Sequence, residues 1–145
     1  MYSVLLYIHI LSSVLAIGPF VVMFPLVRKM RSDTEPMLEQ SVQLFRFVVQ
    51  LSKHTGHVLV ISGIALVMLQ GWSWKTPWIL CTIILLISVL FFMARAFSPT
   101  LRRLLQPEFQ DKRPMLLDKL NRSLWLYLLI LLLLLWLMVA KPNLW

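Results

Sequence analysis

The groups in this chain whose types and spacing suggest chemistry are three histidines, His9, His54 and His57, with the cations Arg46, Lys53 and Arg95 nearby in the pattern. A b-type haem takes one or two neutral imidazoles facing into an apolar helix bundle, and His9 with His54 or His57 would supply them from two helices. The His54-x-x-His57 spacing sets its two rings about 60° apart, so one could ligate iron while the other, with Lys53 or Arg46, met a propionate. Arg95 could pair with a propionate or an anionic headgroup, or simply snorkel as an anchor. No Cys-x-x-Cys-His attachment sequence is present, so haem b would be held non-covalently. Copper is a weaker alternative: Met68 and Met138 with His9 offer thioethers and an imidazole, which suit Cu(I), but no Met-x-x-Met or His-x-Met cluster accompanies them.

The element that must position His54 and His57 is the stretch 43–71. Its fully apolar part, 58–69, would span only about 18 Å, against a hydrocarbon core of roughly 30 Å. The polar half must therefore enter the membrane as well. Counting about 20 residues back from Leu69 reaches Gln50, which leaves Lys53, His54 and His57 inside the span, where ionisable groups are costly and point to function. At about 100° per residue, Gln43, Arg46, Gln50, Lys53, His54 and His57 share one face. A competing reading makes that stripe the wet cytoplasmic flank of a tilted helix, with Arg46 and Lys53 snorkelling to headgroups. That reading accounts for Gln43, Arg46 and Gln50 and leaves His57 unexplained.

Composition sets the frame for these elements. A chain of 145 residues that is 59% hydrophobic, with a mean hydropathy of +0.80, carries more apolar surface than a soluble core of that size can enclose. Lipid must cover the remainder. The net charge of +8 lies in segments flanking apolar runs, which fits membrane topology and anionic headgroups and argues against nucleic acid as a partner. The single cysteine, Cys81, can form neither an intramolecular disulfide nor a Cys-x-x-Cys pair, and reads as a small core residue. The N-terminal apolar run lacks a basic leader and is too long for a signal h-region, so it is expected to remain as a membrane helix.

The pattern predicts an all-α, integral membrane four-helix bundle in one domain, with spans at 2–27, 46–70, 78–97 and 123–140 and connectors at 28–45, 70–77 and 98–122. The first and third connectors hold most of the basic residues, which predicts up-down-up-down topology with those connectors cytoplasmic and both termini outside. Trp72, Trp74, Trp78, Trp136 and Trp145 then gather at the outer interface. On the first helix Ser12, Ser13, Ala16 and Phe20 continue the face of His9, and on the second Ser52, Gly56 and Gly63 form a small face about 100° from His57. These small faces should point inward. Pro19 should free the carbonyl of Leu15 and bend the first span, a packing feature in a membrane helix.

Hydrolytic or transferase chemistry lacks its parts: there is no Gly-x-Ser-x-Gly, no glycine-rich phosphate loop and no acidic residue inside a span. The absence of a membrane carboxylate also removes the usual proton relay of a pump.

Four segments, LYIHILSSVLAIGP, HVLVISGIALVML, ARAFSPTLRRL and the closing VAKPNLW, together resemble the superfamily of small four-helix bacterial membrane proteins. It includes the copper-resistance D (CopD) family, the HemJ-type protoporphyrinogen oxidases and an uncharacterised branch to which this chain is most similar. The resemblance implies a haem b ligand at His9 and, from the CopD side, copper handling. HemJ-type proteins also carry a functional lysine in the third helix, where this chain reads WILCTIILL, so the oxidase activity is not carried over. The expected function is that of a small haem-binding protein of the bacterial cytoplasmic membrane, in electron transfer or haem and porphyrin handling. The proposed ligands are His9 with His57 or His54, and Arg46, Lys53 or Arg95 would lie near propionates. The alternative is a non-catalytic accessory or scaffold subunit, whose polar stripe meets lipid, another membrane subunit or a second copy.

Overall fold

The computed structural model describes residues 1–142 and is helical almost throughout. Helix α1 covers Tyr2–Met30, α2 Glu35–Gln70, α3 Pro77–Ala96, the short α4 Ser98–Leu104, and α5 Arg113–Ala140, with a 3-10 helix at Pro107–Lys112 before α5. Four of the helical segments are long and apolar enough to cross a membrane, as the hydropathy pattern predicts. Trp145 lies outside the described residues.

Two connectors are more ordered than the pattern suggests. Helix α2 begins at Glu35 instead of near residue 46, so the first connector shrinks to a tight turn. Pro36 in its first turn fits the helix start, and Leu38, Val42, Phe45 and Val49 recur at helical spacing and bury one side. In the third connector, α4 buries Thr100, Leu101 and Leu104, and α5 starts ten residues before the expected span. These are amphipathic extensions of helices already long enough to cross a bilayer, which a hydropathy criterion tuned to lipid does not register.

The buried core is concentrated at the end carrying the basic connectors. Phe97 is its hub, with ring centroids 5.8 Å from Phe20, 5.7 Å from Phe45, 6.2 Å from Phe92 and 5.6 Å from Tyr127. Such tilted and edge-on rings add attraction to the area they bury. Polar groups lock the same end. Arg113 donates to the carbonyls of Met30 and, at 2.8 Å, of Asp33; Ser41 donates to the buried Asp33 carboxylate at 2.9 Å; and Arg31 pairs with Asp118. The α1–α2 turn is thereby tied to the start of α5.

At the opposite end, α2 stops at Gly71, whose φ of 66° is the left-handed conformation that caps a helix at little cost only for glycine. Trp72 and Trp78 meet edge to face at 5.1 Å, and the Lys141 ammonium sits 4.4 Å from the Trp72 ring centroid. This brings the end of α5 to the α2–α3 turn, and the antiparallel α1–α2 pair places the N-terminus at the same end. Within the bundle α1 packs most closely on α2 and also on α5, while α3 packs on α5.

Candidate functional site

The α1–α2 seam is built from small side chains, which allow close backbone approach in lipid. Ser12 and Ala16 of α1 and Ser52 and Ser62 of α2 are buried there, and the Ser52 hydroxyl donates to the Ala16 carbonyl at 3.1 Å. His9 lies half-buried in the seam. Its Nδ1 is 3.1 Å from the Leu59 carbonyl and 2.9 Å from Ser62 Oγ, and the Ser62 hydroxyl also reaches the Leu59 carbonyl at 3.0 Å. A carbonyl accepts only, so in the tautomer that bonds Leu59 the proton is on Nδ1 and Nε2 carries the free lone pair. A Cβ on Gly63 would lie 3.1 Å from His9 Cε1, so glycine there is what admits the ring. The expected small faces do point inward at Ser12, Ala16, Ser52 and Gly63. Gly56 is the exception, with nothing within 4 Å of a Cβ placed on it.

His54 and His57 stand on the other side of α2. Both are exposed, as are Gln43, Arg46 and Gln50, and Lys53 is half-exposed. At about 100° per residue, the two histidines lie roughly 140–160° around the helix from the face that receives His9. The expectation that all three histidines face the bundle interior is therefore corrected: His9 does, and His54 and His57 do not. The physical reason is that the bulky apolar residues Leu38, Val42, Phe45, Val49 and Leu66, together with the small Ser52 and Ser62, claim one side of α2 and leave the polar stripe on its back. A single copy cannot grip one porphyrin between His9 and either of the other histidines.

The remaining candidates also stay apart. Arg95 is exposed on α3, with its guanidinium 4.7 Å from the Phe91 ring centroid. Met68 is exposed on the outward side of α2, away from His9, and Met138 belongs to α5. No cluster of three or more His, Cys, Asp or Glu capable of holding a metal occurs among the described residues.

On the outward face, His54 Nδ1 donates to the Gln50 carbonyl one turn earlier at 2.8 Å, and His57 makes no hydrogen bond among the described residues. Phe47, Gln50, Leu51 and His54 line a shallow depression of about 320 Å³. Pattern reading did not anticipate this depression, nor Ser62 and the Leu59 carbonyl as partners of His9. The signal available for Ser62 is its place immediately before Gly63, on the small-residue side of α2.

With 36 residues, α2 is about 54 Å long, so roughly 24 Å of it lies outside a 30 Å hydrocarbon core. If its C-terminal end is set at one membrane surface, residues 35–49 emerge on the other side, Gln50 lies at the boundary, and His54 and His57 remain within. Their faces then point away from every other helix of the chain.

No curated protein and no solved structure matches the chain. Residues 3–142 match the model of the family described as "predicted integral membrane protein (DUF2269)". That match covers nearly the whole chain, which belongs to this family of multi-pass integral membrane proteins.

Proposed function

We propose that the chain is a small non-catalytic subunit of a membrane complex, and that the outward face of α2 at Gln50, His54 and His57 is where its partner docks. It sits in the cytoplasmic membrane of a bacterium with both termini outside. One observation carries the reading: two histidines and a glutamine occupy the side of a membrane span that its own bundle leaves open. Ionisable residues in spans almost always face a protein interior or a wet cavity, because lipid offers their hydrogen-bonding groups nothing. A partner helix bearing hydrogen-bonding side chains satisfies them; lipid does not. The depression beside His54 gives that helix a place to seat a side chain. Arg46 and Gln43 need no partner, since they fall on the part of α2 beyond the hydrocarbon.

The test is the size of the complex extracted from native membranes. The wild-type chain is expected to migrate on native gels well above its 17.0 kDa mass, and Gln50→Leu/His54→Leu/His57→Leu is expected to migrate as the free chain. Equal migration of the two contradicts the proposal.

A second reading keeps haem b, now with His9 as the axial ligand. It is favoured by the Nδ1 contact with Leu59, because a ligating histidine characteristically donates its other ring nitrogen to a carbonyl and presents Nε2 to the metal. The HemJ-type resemblance agrees with that position. Only His9 fits; Arg46, Lys53 and Arg95 do not converge on its side of α2. Protein purified after haem-replete expression is then expected to show a Soret band that His9→Ala abolishes and His57→Ala leaves intact. A featureless spectrum before and after reconstitution removes this reading.

A further inference from the structure

The 20 residues of α3 rise about 30 Å, the thickness of the hydrocarbon core, so α4 begins where the headgroups lie. There a groove of about 370 Å³ runs between the last turn of α3, α4 and the 3-10 helix. Ser98, Arg102, Arg103, Gln106 and Phe109 line it, with Ala94 one turn deeper toward the membrane. Both arginines are exposed, and the ion pair between Arg31 and Asp118 is the only one among the described residues, so neither guanidinium meets a carboxylate. Phe109 forms an aromatic wall, with the Arg103 guanidinium 5.7 Å and the Lys112 ammonium 5.8 Å from its ring centroid. The two cations are thus gathered around one ring at the groove.

We infer that this groove binds a phosphoryl anion, with Arg102 and Arg103 on the phosphate oxygens and Ser98 and Gln106 available as further hydrogen-bond donors. Planar guanidinium groups suit phosphate oxygens, and two of them unpaired in one groove are more than an interfacial anchor requires. The depth and the apolar approach along Ala94 favour the headgroup of an anionic phospholipid as the source. Free phosphate has the same chemistry. The inference does not depend on the α2 docking face, because it concerns other residues on other helices.

Detergent-purified full-length protein exposed to mixed phosphatidylcholine and phosphatidylglycerol tests it, with retained lipid weighed by native mass spectrometry. Wild-type protein is expected to retain phosphatidylglycerol over phosphatidylcholine, and Arg102→Gln/Arg103→Gln to lose roughly tenfold or more in that retention, as each cation near an anionic lipid contributes several-fold. Lys119→Gln/Arg122→Gln removes the same charge elsewhere and is expected to keep it. Arg102→Gln alone, expected to show a partial loss, serves if the double variant does not fold by circular dichroism. Added inorganic phosphate separates the sources: little displacement assigns the site to lipid, and full displacement at millimolar phosphate assigns it to the free anion. Equal retention of both lipids, or equal loss in the two double variants, overturns the inference.

Discussion

Phe97→Ala is expected to cost about 3–5 kcal/mol of fold stability, the range for removing a fully buried phenylalanine from a packed core. The side chain, at the junction of α3 and α4, is wholly buried and meets rings from α1, α2, α3 and α5. In lipid the transfer of apolar surface from water is muted, but the lost packing contacts and the cavity remain as costs. The loss should be felt by every spanning helix at once, since no other ring among the described residues pairs with Phe20, Phe45, Phe92 and Tyr127 together. Thermal unfolding in detergent, followed by circular dichroism, measures it. Phe91→Ala is the comparator: Phe91 is 60% exposed, so its removal opens no cavity and should change little. Similar unfolding of the two variants would mean that the aromatic cluster does not organise the bundle.

How much of this was legible in the sequence differs by element. The four spans follow from hydrophobicity alone, since about 20 apolar residues in a row have few other uses. The N-terminal third of α2 was hidden because Glu35, Glu39 and Gln40 look like a loop to a lipid criterion, although Leu38, Val42 and Phe45 already carry the helical period. The polar stripe was legible as a stripe, and its direction was not. Periodicity groups residues by face; it does not say whether a face turns toward the bundle. In a soluble helix the apolar face is the inner one, but in lipid both faces of α2 are permitted to be apolar, and the packing of small residues decides. Ser52 and Gly63 carried that information, because they mark where α1 approaches, and His57 lies well away from them around the helix. The inward direction of His9 follows from its helix face, but its partners Leu59 and Ser62 depend on the antiparallel register of two helices, which no single-helix pattern contains.

The consequence of the corrected direction is a specific expectation about contacts in the membrane. If Gln50, His54 and His57 face a partner, a probe placed there touches protein; a probe on an ordinary lipid-facing position touches acyl chains. Leu129 on α5 and Ile87 on α3 are such positions, exposed by 62% and 61% and surrounded by residues of the same apolar kind. The partner this expectation calls for would be another membrane subunit or a second copy of this chain, and the mass of the adduct tells which.

Photo-cross-linking in the native membrane is the most direct measurement, with benzoylphenylalanine introduced singly at positions 54, 57, 87 and 129. Discrete protein adducts of one defined mass are predicted at 54 and 57, and none at 87 and 129. Positions 54 and 57 yielding no protein adduct, or the same pattern as 87 and 129, would contradict the account.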